Sequence, residues 1–250
     1  MTWPALVLVH GGAHAADCWD LTADEIRKLA PDLNVLAVDL PGRRNTPGDL
    51  SAVTIKDCVE SVIADIEDGG LDDVVVCGHS LGGVTVPGVV ANLGTPRVRE
   101  MILAAAFLPP QGASVLDSLG GPLGWYARRA AGARRTAVVM PRIAARLAFC
   151  NGMPRSQREF VLSRICGESI HLVTEKVDRS ELPVDVVWTW ILTTRDRSLS
   201  QRQQHRSIEA LGGVKTVIEM DTCHDLMVSE PTRLAEILIE RCRLRSKGMR

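Results

Sequence analysis

The chain has 250 residues, of which 46% are hydrophobic and 24% charged. This is the balance of a soluble globular protein rather than of a disordered or collagen-like one. At this length one large core can fold without structural metals or cross-links. The formal net charge of −1 provides no overall basic field, which argues against nucleic acid or an anionic membrane as a partner.

The seven cysteines include no C-x-x-C pair and no Cys/His run at zinc spacing. Their odd number favours reduced thiols and a cytoplasmic location. Residues 1–12 have no basic segment, and their apolar run is too short for a signal peptide. Residues 74–96 carry no charge over a length that can cross a bilayer, but glycines and prolines interrupt them, which favours a buried strand, turn and helix.

Short apolar runs rich in β-branched residues recur along the chain, each bounded by Gly, Pro or Asp. Most are apolar continuously rather than alternately, as in strands that are covered on both faces of a parallel sheet. Six strands are predicted, at residues 5–10, 34–40, 73–78, 101–107, 185–194 and 214–220.

Helical patterns separate these runs. Capping boxes at residues 22–25 (Thr-x-x-Glu) and 54–57 (Thr-x-x-Asp) predict two helix starts. Ser229 followed by Pro231 predicts a C-terminal helix that extends to about Arg243. Because strands and helices alternate, the sequence predicts an α/β protein with a mostly parallel, doubly wound sheet of about six strands.

One long segment interrupts the alternation. Residues 109–182 contain no convincing strand but several helical patterns, including residues 125–149 and a capping box at 156–159. An insertion of this size before the penultimate strand predicts a helical lid over the carboxyl edge of the sheet, where ligands of open α/β sheets bind. Residues 1–108 and 183–250 then form the core.

A candidate nucleophile follows the third predicted strand. Gly78-His79-Ser80-Leu81-Gly82 matches G-x-S-x-G between a strand and an apolar helical run, which is the context that this motif requires. A serine hydroxyl needs a neighbouring base to react, and the sharp turn needs small residues where backbone crowds backbone. Ser80 is therefore the predicted nucleophile.

The candidate base and acid come later, in the chain order Ser, acid, His. His224 follows the last predicted strand and precedes the C-terminal helix, which is where a base would reach Ser80. Asp196 follows the penultimate strand and is the predicted acid, although its neighbouring arginines leave open a surface ion pair instead. Asp221 and Asp225 remain competitors for this role.

A glycine-rich turn follows the first strand, at residues 10–13 (His-Gly-Gly-Ala). Such a turn lets backbone N–H groups converge on a developing oxyanion, and we predict Gly12 and Leu81 as the two donors. His10 and His14 have the i, i+4 spacing of a metal pair, but the intervening glycines argue against a helix. No metal and no cofactor are expected.

These motifs together resemble the α/β-hydrolase superfamily. The stretches at residues 6–19, 102–112 and 223–238 are similar to the plant methylesterase and hydroxynitrile lyase family and its bacterial esterase relatives. The resemblance implies an α/β-hydrolase fold and cofactor-independent chemistry at Ser80.

The chain departs from the lyases of that family at two positions. They have a Lys after the base and a Thr after the first-strand His, whereas Asp225 and Gly11 stand here. A negative charge beside the base would oppose departing cyanide. Both changes therefore favour hydrolysis over cyanohydrin cleavage.

The lid sequence also offers candidate substrate contacts. Trp125, Tyr126, Phe149 and Met153 are predicted to line an acyl or alkyl pocket, although packing alone also explains such residues. Arginines that favour an anionic substrate, or that simply form a solvated helix face, stand at Arg128, Arg129, Arg134, Arg135, Arg142 and Arg146.

The sequence thus predicts a serine esterase that acts on a small-molecule carboxylic ester through an acyl-enzyme, and a homodimer is one expected state. Two alternatives remain. One is a lyase or C–C bond hydrolase on an anionic substrate held by the lid arginines. The other is a ligand-binding receptor with a vestigial triad, because fold does not imply function.

Overall fold

A parallel β-sheet forms the centre of the protein. The computed structural model describes residues 2–246, apart from the side chains of residues 122 and 123. The sheet strands are β1 (Ala5–Val9), β2 (Val35–Val38), β3 (Val74–His79), β4 (Val98–Ala104), β7 (Val187–Thr193) and β8 (Thr216–Met220), and a separate pair comprises β5 (Ala137–Val139) and β6 (Gly167–Ser169). All neighbouring strands run parallel in the order β2-β1-β3-β4-β7-β8.

The six predicted strands are confirmed, with one shift in position. Strand β4 begins at Val98, three residues before the predicted start at Met101. Arg99 and Glu100 are charged, so the apolar run used to predict this strand does not include its first residues. Glu100 is nevertheless fully buried, because Arg241 and Arg245 each place Nε 2.7 Å from its carboxylate oxygens.

Helices cover both faces of the sheet. The α-helices of the described residues are α1 (Asp20–Leu29), α2 (Ile55–Asp68), α3 (Val86–Arg97), α4 (Val115–Ser118), α5 (Gly121–Gly132), α6 (Arg142–Phe149), α7 (Arg155–Arg164), α8 (His171–Thr174), α9 (Gln201–Ala210), α10 (Leu226–Ser229) and α11 (Pro231–Leu244).

Each face of the sheet has its own hydrophobic core. On one face, side chains of α1, α10 and α11 pack with Leu6, Leu8 and Ile102. On the other, α2 and α3 pack with Val7, Val76 and neighbouring strand residues. The strand order reverses between β1 and β3, so the loops after these two strands diverge at the point where open α/β sheets bind ligands.

The segment between β4 and β7 corrects two predictions. It contains the strands β5 and β6, which pair antiparallel with Ala137 opposite Ser169. The expectation of no strand there was therefore wrong, since three-residue strands leave no local pattern. The predicted helix at 125–149 is split by β5 into α5 and α6, and Arg134, with φ of 52°, turns the chain between them.

Two of the four predicted helix starts are confirmed. The capping box of Thr54 and Asp57 is present at α2, and α11 begins at Pro231 as expected. Thr22 lies inside α1, where its hydroxyl donates to the Met227 carbonyl, so that start was wrong. Helix α7 begins at Arg155 without a side-chain cap, so the box at 156–159 was wrong too.

The uncharged stretch at residues 74–96 forms β3, a short 3₁₀ helix and most of α3. This agrees with its interpretation as strand, turn and helix. Within residues 2–246 we find no helix of the length and apolar character needed to cross a membrane.

Candidate active site

Ser80 lies at the sharp turn between β3 and the 3₁₀ helix Ser80–Val84. Its φ of 49° is a left-handed conformation that costs an L-residue about 1–2 kcal/mol. A Cβ atom at Gly78 would lie 2.6 Å from Val86 Cγ2, and one at Gly82 would lie 3.0 Å from the His10 carbonyl oxygen. Glycine is thus required at both positions because strand, turn and helix approach so closely.

The three residues predicted as nucleophile, base and acid come together at the carboxyl edge of the sheet. His224, in the loop after β8, is 1% exposed. Its Nε2 lies 2.8 Å from Ser80 Oγ, and its Nδ1 lies 2.6 Å from Asp196 Oδ2. A serine hydroxyl, an imidazole and a carboxylate are therefore joined by consecutive hydrogen bonds.

The Asp196 carboxylate is held by donors other than arginine. Thr193 Oγ1 donates to Oδ2 over 2.9 Å, and the backbone N–H groups of Ser198 and Leu199 donate to Oδ1 over 2.7 and 2.8 Å. Arg195 instead pairs with Asp221. The alternative of a surface ion pair at Asp196 is therefore wrong, since its side chain is fully buried.

The two competing aspartates have other partners. The Asp221 side chain is 79% exposed, and it accepts a hydrogen bond from Thr194 Oγ1. Asp225 is fully buried, and its Oδ2 lies 3.0 Å from His14 Nε2. Neither carboxylate hydrogen-bonds the His224 ring in the described structure.

Two further side chains hold His224 in place. His79 donates from Nε2 to the His224 carbonyl oxygen over 3.1 Å, and burial together with the nearby His224 lowers the pKa of His79 well below 6.5. The Phe149 ring stacks on the His224 imidazole at 5.4 Å between centroids and an angle of 21°. Sequence reasoning missed both contacts, although His79 belongs to the motif that contains Ser80.

The loop after β1, which carries the predicted oxyanion donor Gly12, lies against the side chain of Leu81. A Cβ atom at Gly12 would lie 3.2 Å from Leu81 Cδ2, and the Gly12 N–H donates no hydrogen bond within residues 2–246. His10 donates from Nδ1 to the Gly11 carbonyl, and its Nε2 accepts from the Leu40 N–H. Burial and the nearby Arg43 charge lower the pKa of His10 to about 3, which keeps this ring neutral.

His10 and His14 do not fit the metal pair that their spacing suggested. Both ring nitrogens of His10 and of His14 are engaged in hydrogen bonds, and a metal ligand needs a free nitrogen. Among the residues that the structure describes, His79, His224 and Asp225 have potential ligand atoms within 4.8 Å of one another. Hydrogen bonds occupy both ring nitrogens of His224 as well.

A cavity of about 100 Å³ opens beside Ser80. Its wall is apolar except for a few groups, of which the Glu168 carboxylate is charged. The lining residues are Gly12, Ala13, Ser80, Leu81, Phe107, Val115, Leu119, Tyr126, Ala127, Val138, Met140, Phe149, Glu168, Ser169, Ile170, Val173 and Leu199.

Two of the four residues predicted to line a pocket do line this cavity, namely Tyr126 and Phe149. The other two correct the prediction. Trp125 is 62% exposed on the outer side of α5, and Met153 is buried in the core beneath the sheet edge. Trp125 lies outside the cavity because neighbouring residues on a helix face different directions, and Met153, between α6 and α7, packs into the hydrophobic core instead.

The charged residues that the sequence suggested could act on a bound anion do not line the cavity. None of the six lid arginines lines the cavity; Arg128 and Arg142, for example, donate to the carbonyl oxygens of Leu119 and Leu162 over 2.8 and 2.7 Å. Asp225 does not line it either. The expectation that its charge acts directly on a departing anion was therefore wrong, since His14 neutralises it.

Sequence relatives of this chain include esterases. It is 33% identical over 114 residues, 45% of this chain and 46% of the relative, to the carbendazim hydrolyzing esterase of Nocardioides sp. (strain SG-4G). It is 31% identical over 106 residues, 41% of this chain and 40% of the relative, to methylesterase 7 of Arabidopsis thaliana. The chain thus matches less than half the length of these curated relatives.

Solved structures show the same fold. An extracellular alpha/beta-hydrolase from a Paenibacillus species superposes with a TM-score of 0.84 at 24% identity, covering 95% of this chain and 98% of that one. Polyneuridine aldehyde esterase gives a TM-score of 0.76 at 20% identity, with 96% and 99% covered. The model of the alpha/beta hydrolase family matches residues 6–237. The chain therefore belongs to the alpha/beta hydrolase family.

Proposed function

We propose that the protein is a cofactor-independent serine hydrolase that cleaves carboxylic esters through an acyl-enzyme. The observation that carries the proposal is the hydrogen-bonded series from Asp196 through His224 to Ser80, with separations of 2.6 and 2.8 Å. The apolar cavity beside Ser80 gives the acyl group a place to bind. The names of the relatives, among them an esterase and a methylesterase, support the same reaction class.

In the first half of the proposed reaction, Ser80 Oγ attacks the ester carbonyl while His224 Nε2 takes its proton. Asp196 accepts the Nδ1–H, fixes the tautomer and stabilises the imidazolium. The N–H groups of Gly12 and Leu81 donate to the oxyanion. When the tetrahedral adduct collapses, the C–O bond breaks and His224 passes its proton to the departing alcohol.

In the second half, a water molecule replaces the alcohol. His224 takes one proton from water as its oxygen attacks the acyl carbonyl, and the same N–H groups hold the second oxyanion. Collapse returns the proton to Ser80 Oγ and releases the carboxylic acid. Each turnover thus consumes one ester and one water and needs no metal.

The substrate class follows from the cavity wall. Its apolar residues favour a neutral acyl or alkyl group, and among the described residues no Lys or Arg lines the wall to pair with an anionic one. The alternative of a lyase or C–C bond hydrolase on an anionic substrate loses its support, because the lid arginines lie outside the cavity.

We also propose that residues 109–182 act as the lid over the site, with residues 1–108 and 183–250 as the core. In support of this, the segment supplies Val115, Leu119, Tyr126 and Ile170 to the cavity wall.

A cytoplasmic location is our expectation, supported by seven cysteines that are all free.

An active-site probe tests the proposed function. A fluorophosphonate should add to Ser80 with loss of fluoride, which intact-mass measurement detects as one adduct per chain. Short p-nitrophenyl and methyl esters should turn over in the presence of EDTA. The Ser80→Ala protein is the matched control. A wild-type protein that is neither labelled nor active on any ester would instead favour the receptor alternative.

A further inference from the structure

The peptide group that joins Gly12 to Ala13 is held at both ends. Its carbonyl oxygen, on Gly12, lies 2.8 Å from His14 Nδ1. Its N–H, on Ala13, donates to Glu168 Oε2 over 3.2 Å. Ala13 has φ of 62°, a conformation that an L-residue keeps only when its surroundings hold it there.

The hydrogen bonds of His14 define its charge. Nδ1 faces the Gly12 carbonyl, which can only accept a hydrogen bond, and Nε2 lies 3.0 Å from Asp225 Oδ2. An ionised carboxylate also only accepts, so both ring nitrogens must carry hydrogen and the ring is a cation. His14 and Asp225 are 2% and 0% exposed, so the pair is shielded from water.

The charge of Glu168 is balanced in the same way. Its Oε1 accepts from Arg43 Nη2 over 2.5 Å and from the Ser169 N–H over 2.9 Å. Arg43 also donates from Nε to the His14 carbonyl over 2.9 Å. Glu168 belongs to β6, so the segment between β4 and β7 is tied directly to the loop that carries Gly12.

We propose that His14 and Glu168 are positioning residues that clamp the Gly12–Ala13 peptide between a cation at its carbonyl end and an anion at its N–H end, and so aim the preceding Gly12 N–H at the oxyanion. This inference rests on the proposed function. The peptide dipole has its negative end at oxygen, so each charge stabilises the observed orientation. Rotation of this peptide would break both contacts at once.

The clamp adds little net charge to the site. Asp225 balances His14, and Arg43 balances Glu168, so the oxyanion meets two ion pairs rather than an isolated carboxylate. Asp225 also follows His224 directly in the chain. The loop of the base and the loop of the oxyanion donor are therefore joined through one hydrogen-bonded pair.

The kinetics of two variants distinguish a positioning role of His14 and Glu168 from a merely structural one. His14→Gln and Glu168→Gln are compared with wild type on a neutral p-nitrophenyl ester. Loss of an oxyanion donor lowers kcat by about 10²–10³, and a misdirected donor should lower it by about 10- to 100-fold, with KM changed less than about threefold. If one variant does not fold, as circular dichroism would show, the other still tests the clamp.

A pair of ketones provides the second readout. An alkyl trifluoromethyl ketone forms a tetrahedral adduct on Ser80 that places an oxyanion in the site, whereas the matching methyl ketone binds largely unreacted. The inhibition constant of the first should rise in each variant by the factor lost in kcat/KM. That of the second should stay at the wild-type value.

Glu175→Gln is the matched control. Its carboxylate also accepts from a backbone N–H, that of Ile55 over 2.9 Å, but it lies away from the Gly12 loop, so its kcat should stay within about twofold of wild type. Because His14 and Glu168 hold the same peptide, the double variant should lose less than the product of the two single losses.

Three results overturn the inference. Folded variants that match the Glu175→Gln control overturn it, and so do losses that multiply in the double variant or that appear in KM alone. These results differ from failure of the proposed function, which would show as a wild-type protein without ester turnover or Ser80 labelling.

Discussion

Two buried histidine–aspartate pairs lie at the carboxyl edge of the sheet, and they differ in what the second imidazole nitrogen contacts. In the pair of His224 and Asp196, that nitrogen contacts the Ser80 hydroxyl. In the pair of His14 and Asp225, it contacts the Gly12 carbonyl. A hydroxyl can donate to a neutral ring, whereas a carbonyl can only accept and requires a second N–H.

The group that contacts the second imidazole nitrogen therefore decides the chemistry of each pair. The His224 ring can stay neutral and take a proton, while the His14 ring is held as a cation. Phe149 lies against both imidazoles, at 5.4 Å from the His224 centroid and 5.2 Å from that of His14. The same residue types in the same buried region thus supply a base in one place and a fixed charge in the other.

The strongest test of the comparison removes the hydroxyl. Ser80→Ala should lower kcat for ester hydrolysis by up to about 10⁶ and leave folding intact, because alanine adds no bulk at the turn. Steady-state kinetics and intact-mass labelling measure the loss. Retention of more than about a tenth of the wild-type rate would show that Ser80 is not the nucleophile.

Replacement of each aspartate by asparagine distinguishes the two pairs. Asp196→Asn should lower kcat by up to about 10⁴, because the amide favours the wrong His224 tautomer. Asp225→Asn removes the partner of His14 and should lower kcat by about 10- to 100-fold. The kcat values of the two variants are compared per amount of folded protein. A larger loss for Asp225→Asn would mean that the pair of His14 and Asp225, rather than the pair of His224 and Asp196, supplies the base.

The His14 charge should appear in the pH dependence of stability. Burial lowers the pKa of His14, but the charge and hydrogen bond of Asp225 outweigh it, so the pKa is raised above 6.5. Above pH 6.5 the folded protein therefore keeps a proton that the unfolded chain loses. The stabilisation is complete below that pH and declines by at most about 1.4 kcal/mol per pH unit as pH rises through the raised pKa.

Urea unfolding between pH 5.5 and 8.5 measures this decline. The difference in free energy of unfolding between wild type and His14→Gln should be largest near pH 6 and should shrink as the pH rises. A difference that does not change with pH would mean that His14 is neutral in the folded protein.

The smallest effect is expected at the exposed aspartate. Asp221 pairs with Arg195 at the surface, where ion pairs contribute about 0–1 kcal/mol. Asp221→Asn should therefore change the free energy of unfolding by less than about 1 kcal/mol and kcat by less than about twofold. Kinetics and urea unfolding at one pH suffice, and a large loss of activity would return Asp221 to the candidates for the acid.

The sheet strands were predictable because burial on both faces makes each one a continuous apolar run. Strand β4 began earlier than its pattern, since Glu100 is buried only with the help of Arg241 and Arg245, which lie in the last helix and just after it. The pairing of β5 with β6 left no signal, because it joins two three-residue segments about thirty residues apart.

The lining of the cavity was only half predictable. Tyr126 lines it and Trp125 does not, although they are adjacent in the chain. An aromatic residue in a sequence indicates apolar contact but not its partner, because the orientation of a short helix is set by the packing of its neighbours.

By itself the sequence determined the fold and the places of Ser80, Asp196 and His224. Local rules suffice for these: apolar strands, a glycine-bounded turn, and reactive residues directly after strand ends that a parallel sheet brings to one edge. Only the tertiary structure decided that His14 meets Asp225 and that Glu168 meets Ala13. Those partners are 211 and 155 residues apart, and no local pattern encodes a contact that chain folding alone creates.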